Sequence, residues 1–311
     1  MEPIAIVGAG PAGMMLAFQL ASNGSSVRVF ERHKDFNHEF RGEFVQPSVL
    51  EPLEEIGVLQ KLSAAGRVVP ISAVRMNRGT TTFAANVGPN GGPAGHIIHQ
   101  PSFLRLMHEE CSRFPGYRLD LGARVDELFT KDGRVTAVGV RIGGKHERVE
   151  SSLVVACNGR NSILRKSVGA EAVELEKPYS VLWLRFDLKD GRLAPNALDG
   201  FVNARAFCVL YPTYGGRVQL MWRRSKSYPL DWKSPADVLK AALLEDTPAQ
   251  WHHILDAFDE NTERQVLHVV CDHLKSWSAP GVLFLGDAAH TMSPTGGQGL
   301  SMAIRGYRPI C

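Results

Sequence analysis

Residues 3–31, PIAIVGAGPAGMMLAFQLASNGSSVRVFE, constrain the fold more than any other part of the chain. Ile4 to Val7 is a short apolar run of the kind that forms a buried parallel strand. Gly8, Gly10 and Gly13 follow it as GxGxxG. Ala12, Leu16 and Leu20 then recur at helical spacing, and Gly24 stands where that helix should end. Val27 to Phe30 reads as a second strand, with Glu31 at its tip and Arg32 beside it. In such a turn Gly8 permits the bend, Gly10 lets a pyrophosphate approach the backbone, and Gly13 lets the helix pack on the strands. The helix start offers free N–H groups and the positive end of its dipole to the phosphates. Glu31 lies 18 residues past Gly13 and can accept hydrogen bonds from ribose hydroxyls. An acid there repels a 2′-phosphate, so this site is expected to hold FAD or NAD and not NADP.

The rest of the composition excludes several classes. The 311 residues are 44% hydrophobic with a net charge of +3, and no Lys/Arg-rich run offers a surface for nucleic acid. Residues 3–27 carry no charge, but GAGPAG interrupts them and no basic residue precedes them, so no membrane span or leader is expected. Five scattered cysteines without a CxxC pair fit a reducing compartment, and a cytoplasmic protein is expected. The histidines lack metal-ligand spacing, and no metal site is read.

Two later stretches carry chemistry. GDAAHTMSPTGGQGL, residues 286–300, follows the strand-like GVLFL. Asp287 then sits at a strand's carboxyl end, where open α/β sheets bind ligands, and can accept a hydrogen bond from a ribityl hydroxyl. Gly296, Gly297 and Gly299 leave room for a flat ring against the backbone, and a helix beginning near Gln298 would point its N-terminus at that ring. ACNGRNSILRKSVG, residues 156–169, is another strand followed by a glycine turn, with Arg160 and Arg165 adding positive charge.

With GAGPAG and Glu31, the strand–(D)G–R–x–S–x–x–R turn and GDAAH with P-x-G-G-Q-G in this order, the chain resembles the single-component FAD-dependent monooxygenases of the p-hydroxybenzoate hydroxylase type, from residue 1 to about 304. The resemblance implies an α/β fold: a Rossmann-like FAD-binding domain (GR2 type) interleaved with a smaller mixed-sheet substrate domain. It implies cofactor contacts from Gly8, Gly10, Ala12, Gly13, Glu31, Arg32, Arg41, Gln100, Val125, Gly286, Asp287, Pro294, Gly297, Gly299 and Leu300. Glu31 would hold the adenosine ribose, Arg41 and Gln100 would approach the flavin chain, and the backbone of Val125 would touch adenine. Pro294, Gly297, Gly299 and Leu300 would line the isoalloxazine.

The implied reaction uses NADPH or NADH and O2, through a flavin C4a-hydroperoxide, to hydroxylate or epoxidise a small aromatic or polycyclic substrate. No general base is common to the family, so no residue is named as catalytic, and His290 is read as packing. The reductant would dock transiently near Asn158, Gly159 and Arg160. Asn158 stands where the family carries Asp, which leaves the choice of reductant open. The halogenating relatives' W-x-W-x-I-P-type stretch is absent.

Residues 1–71, 99–169 and 268–311 are assigned to the FAD-binding domain, and 72–98 and 170–267 to the substrate domain. In the latter, residues 179–188, 204–212 and 217–224 are strand-like, with a turn at Tyr214, Gly215 and Gly216 between the last two. Ser234, Pro235 and Asp237 look like a capping box with a proline-first helix. Trp183, Tyr211, Met221 and Trp222 are candidate cavity residues beside a plain sheet-core reading. Arg185 and Arg223 read as solvated edge arginines, or as partners for a substrate anion. At the other end, Gly306 and Pro309 should break the last helix within two turns. The alternative function is therefore a C-terminally truncated flavin-binding fragment with little or no turnover.

Overall fold

The computed structural model describes residues 2–37, 43–79, 81–85, 91–188 and 196–305. Arg41, Gly306 and Pro309 lie outside them, so the readings made at those positions gain no structural account. The chain forms two compact units, each assembled from separated segments. The first comprises Met1–His38, Gln100–Pro178 and Val270–Cys311, and the second Glu39–His99 and Tyr179–Val269. Residues 39–71, which the sequence reading gives to the cofactor domain, fall in the second unit.

The first unit is built on a six-stranded sheet. Its order is Ser278–Ala279, Val282–Phe284, Leu153–Ala156, Ile4–Val7, Val27–Glu31, Tyr117–Leu121. All neighbours are parallel except the Ser278–Ala279 edge. The inner strands are almost entirely branched or apolar because both faces are covered. On one face Ala5, Val7, Phe30, Val154 and Ala156 pack against Val125, Val135, Val138 and Val140 of an antiparallel three-stranded sheet, Arg124–Lys131, Arg134–Ile142 and Lys145–Glu150. The helix Pro11–Ser22 packs beside the strands and touches the helices Gln100–Cys111 and Gly299–Arg305. Its start and stop agree with the sequence: proline occupies the first turn, and Gly24 takes φ 82° just past the end.

The second unit carries a mixed sheet through Glu263–Leu274, Ala172–Asp187, Arg217–Arg224, Ala206–Pro212, Ala197–Val202, Ala73–Arg78 and Thr81–Ala85. Glu263–Leu274 and Ala172–Asp187 each run on from one unit into the other. The expected hairpin is present: Ala206–Pro212 pairs antiparallel with Arg217–Arg224, and Gly215 and Gly216 take φ 74° and 72° at its turn. One sheet face is sealed by the helices Ala236–Asp246 and His252–Leu255, in a core of Leu182, Leu184, Leu210, Leu220, Leu239 and Leu243 among others.

Trp222 belongs to that helix-covered core and not to a cavity. It is fully buried and donates its indole N–H to Asp246 at 2.9 Å. The period of two in RVQLMWRR forces this, because Trp222 shares its face with Val218 and Leu220. The capping box also fails. Helix Ala236–Asp246 has Pro235 at its N-cap with no side-chain cap, and the Ala236 N–H donates to Glu260 from elsewhere in the unit at 2.8 Å.

Asp246 is completely buried and pairs with Arg224 at 2.7 Å as well as with Trp222. Replacing it by alanine strands a guanidinium in the core. Asp246→Ala is expected to lower the unfolding free energy by about 3 kcal/mol, read as a drop in the urea midpoint at unchanged slope.

Candidate functional site

Three turns meet at the carboxyl ends of the first unit's parallel strands. Gly8, at φ 108°, abuts the turn after Leu153–Ala156 so closely that a Cβ would stand 2.4 Å from the Cys157 carbonyl oxygen. A Cβ on Gly13 would stand 2.0 Å from the Gly8 carbonyl oxygen. A Cβ on Gly286, at φ 55°, would stand 2.9 Å from that of Ala12. Gly10 differs: nothing lies within 4 Å of the position its Cβ would take. Gly8 and Gly13 are required by backbone packing and Gly286 by contact with the Ala12 side chain, while Gly10 leaves an open cradle at the start of helix Pro11–Ser22.

Glu31 is buried at the rim of this cradle. Its carboxylate accepts from the Ala9 N–H at 2.8 Å and from the His33 N–H at 3.0 Å. Those two bonds hold the side chain on the glycine turn, and a carboxylate has about four acceptor sites, so ribose hydroxyls could still be accepted. Arg32 is exposed and turned toward His33, with 3.1 Å between their side-chain nitrogens. The Ala123 N–H donates to the Glu31 carbonyl at 2.8 Å, which brings the segment before Val125 to the tip of the same strand. Val125 itself puts its side chain into the core. Gln100 is half-buried as the first residue of helix Gln100–Cys111.

Asp287 follows strand Val282–Phe284 inside a single 3-10 turn, Gly286–Ala288. The loop beyond it is ordered locally: Ser293 caps the turn Pro294–Gly296 by accepting from the Thr295 N–H, and Gly297 takes φ 59°. Gly299 and Leu300 begin helix Gly299–Arg305, which touches both helix Pro11–Ser22 and the turn of Asp287.

Sequence reasoning noted only the charge of Arg165; the structure gives it a position. Its guanidinium donates to the Ala288 carbonyl at 2.8 Å, to the Asp287 carbonyl at 3.2 Å, and to both oxygens of Asp272 at 2.8 and 3.2 Å. Thr291 donates to Asp272 at 2.8 Å. Burial pushes the Asp272 carboxyl up, but the hydrogen bonds from Arg165 and Thr291 outweigh it and hold the group below the ordinary carboxylate range. Arg165 thereby clamps the backbone on which Asp287 rides. Asp272 escaped the sequence reading because nothing local marks it; its role depends on a partner 107 residues away. His290 stacks on Trp277 with ring centroids 5.0 Å apart, and burial pushes its pKa down. That geometry agrees with a packing role.

A flavin dinucleotide fits this set. The Asn158 side-chain oxygen and the Ser162 hydroxyl are buried on the same turn without a hydrogen-bond partner among the described residues, and Gly10 leaves room for a phosphate. Among the described residues no group of three His, Cys, Asp or Glu side chains is arranged to hold a metal. None of their helices is long and apolar enough to cross a membrane.

In the second unit, the sheet face opposite the helices is polar and still buried. Arg185 is 6% exposed, which contradicts a solvated edge position. It donates to Gln219 at 2.9 Å and to Glu43 at 3.2 Å, and Glu43 is 1% exposed. Burial, then the negative charge of Glu43, drives the Tyr211 phenol far up. Trp183 Nε1 and the Thr213 hydroxyl lack a hydrogen-bond partner among the described residues, and the Tyr211 hydroxyl, whose oxygen faces the Glu43 backbone N–H, finds no acceptor there. Leaving such a group unmade costs about 1–3 kcal/mol. The alternation of Gln219 with Val218 and Leu220 was the available signal for this face.

The FAD binding domain family matches the chain over residues 1–308. The 6-methylpretetramide 4-monooxygenase of Streptomyces rimosus is 26% identical, over 97% of this chain and 72% of that protein. The 3-(3-hydroxy-phenyl)propionate/3-hydroxycinnamic acid hydroxylase of Mycobacterium sp. (strain JLS) is 27% identical, over 97% of this chain and 52% of that protein. The chain thus spans about half the length of the second relative and under three quarters of the first. Among solved structures, PqsL of P. aeruginosa in complex with 2-aminobenzoylacetate superposes with a TM-score of 0.83 at 20% identity, covering 97% of this chain and 83% of that one. At that identity the likeness speaks for the fold.

Gly10 and Gly13 separate ligand from packing. Gly10 has φ −72° and ψ −179°, which any residue adopts, so Gly10→Val is expected to lose bound flavin and to melt at the temperature of the flavin-free parent chain. Gly13→Ala is expected to lose stability as well, because its Cβ meets backbone. Flavin absorbance per chain and thermal melts of both variants check this.

Proposed function

Because the chain belongs to the FAD binding domain family of flavin-dependent monooxygenases, we propose that it binds FAD in the cradle of the first unit and uses NADPH or NADH and O2 to oxygenate an aromatic or polycyclic organic substrate. The observation that carries the reading is the convergence of the turns at Gly8–Gly13, Cys157–Arg160 and Gly286–Ala288 at the carboxyl ends of one parallel sheet. The hydroxylase and monooxygenase names of the relatives support the reaction type.

When bound, the cofactor supplies two-electron uptake from NAD(P)H and delivery of one oxygen atom to the substrate, the other leaving as water. The chain's own residues bind and orient. Glu31, held by the Ala9 and His33 N–H groups, receives the adenosine ribose. Gly10 and the start of helix Pro11–Ser22 would hold the pyrophosphate, since the N–H groups and the helix dipole there favour negative charge. Ala12 and Gly286 hold the two turns together at this end. Asp287, steadied through Arg165, accepts from the ribityl chain. Pro294, Gly297, Gly299 and Leu300 border the flavin ring. Gln100 and Arg32 flank this site, and the backbone near Val125 borders the adenine. Asn158, Gly159 and Arg160 form the side from which the reductant approaches. Asn158 supplies an amide in place of a carboxylate there, which removes a negative charge near the incoming phosphates.

Reaction of the FAD-loaded chain with isotopically heavy oxygen gas, NAD(P)H and a panel of phenols and fused-ring ketones tests the proposal. One heavy oxygen atom is expected in the product, with NAD(P)H consumption rising when the accepted compound is present. Bound FAD without turnover on any compound would favour the flavin-binding fragment reading.

A further inference from the structure

The second unit buries three hydrogen-bond donors, Trp183 Nε1, the Tyr211 hydroxyl and the Thr213 hydroxyl, and none finds an acceptor among the described residues, although the Tyr211 oxygen faces the Glu43 backbone N–H. For Trp183 and Tyr211 the common face follows from strand register, and Thr213 stands two residues past Tyr211 on extended backbone. Trp183 pairs with Met221, which pairs with Val209, while Tyr211 pairs with Gln219 and Gln219 with Arg185. Leu182, Leu184, Leu210 and Leu220, one residue out of phase, fill the helix-covered core. Native interiors rarely leave such groups unpaired, and three on one face call for a common explanation.

The arginines of this face are already engaged. Arg185 faces Glu43 at 3.2 Å, Arg217 faces Glu263 at 3.0 Å, and the Arg223 guanidinium lies over the Tyr179 ring at 3.7 Å. A ligand carboxylate would therefore compete with carboxylates and a ring already in place. Neutral oxygens meet no such competition. The indole can only donate, and the two hydroxyls can donate or accept. Trp183 and Tyr211 lie two strands and two residues apart, about 12 Å between backbones from ordinary sheet spacing. A ligand with oxygens set apart on a wide, flat frame suits a row that crosses two strands.

We propose that this face reads the substrate, and that it selects an uncharged, fused polycyclic compound with several ketone or phenol oxygens, over a single-ring carboxylate and over a hydrocarbon. Trp183 donates to a carbonyl at one end, and Tyr211 and Thr213 hydrogen-bond to oxygens at the other. The inference rests on the monooxygenase reading and narrows its substrate class.

Calorimetric titration of the full chain, loaded with FAD, tests it with three probes: dihydroxyanthraquinone, unsubstituted anthraquinone, and hydroxyphenylpropionate. The dihydroxy compound is expected to bind at least about tenfold tighter than either other probe, a difference the size of one well-made hydrogen bond. Tyr211→Phe is expected to erase the advantage over anthraquinone while leaving melting temperature and flavin content unchanged. Thr213→Val, with a near-isosteric side chain, gives the same comparison should the aromatic variants fold poorly. Equal affinity for the hydroxylated and plain ring systems would mean that these groups hold only water, and would overturn the proposal. Tightest binding of the propionate, lost in Arg223→Ala, would overturn it in favour of an anion site. Because binding is read without turnover, failure of the FAD-loaded chain to oxygenate any compound of the panel would sink the monooxygenase reading, while the binding preference of this face is still decided by the titrations.

Discussion

Everything at the candidate site depends on backbone meeting backbone without a side chain between. The Gly8 turn presses on the Cys157 carbonyl, and helix Pro11–Ser22 presses through Gly13 on the Gly8 carbonyl. These approaches fix where the helix begins, and so where its unpaired N–H groups point. They also fix the second turn of the site, Cys157–Arg160, against the first. Any side chain larger than hydrogen at Gly8 or Gly13 would separate elements whose register is otherwise set by parallel pairing of Ile4–Val7 with Leu153–Ala156.

The third turn needs a different device, because Gly286 follows a strand one place further along the sheet. Arg165 supplies it. A single guanidinium satisfies the Asp287 and Ala288 carbonyls and is balanced by Asp272. Buried pairs of this kind are costly to break and add little over an apolar contact, so their value lies in fixing one arrangement. The same logic runs through the second unit, where Arg185 and Arg224 each stand beside a nearly or fully buried carboxylate, Glu43 and Asp246.

The cofactor half was legible in the sequence because its constraints are local and steric. A glycine required by φ or by contact announces itself, and Gly8, Gly13 and Gly24 are read from position alone, whereas Gly286 enters through the family resemblance and Gly297 as room for a ring. The hairpin around Gly215 and Gly216 was legible for the same reason. What escaped was pairing over distance. The Glu260 cap on helix Ala236–Asp246, the Asp272 partner of Arg165 and the Glu43 partner of Arg185 each join segments with no shared pattern. Of the two readings open for Trp222, sheet core and cavity, the two-residue period that groups it with Val218 and Leu220 selects the core. The interleaving of the units likewise follows from which strands pair, and residues 39–71 join the second unit because Gly95–Ile98 pairs with both Phe44–Val45 and Val68–Ile71.

The most direct test of the account is the flavin stoichiometry of the purified chain, measured by absorbance after heat release and identified by chromatography. The account predicts FAD at close to one per chain, either as purified or after incubation with added FAD. A folded, colourless protein that takes up no FAD would contradict it, since the cradle at Gly10, the anchored Glu31 and the clamped Asp287 turn would then serve no dinucleotide.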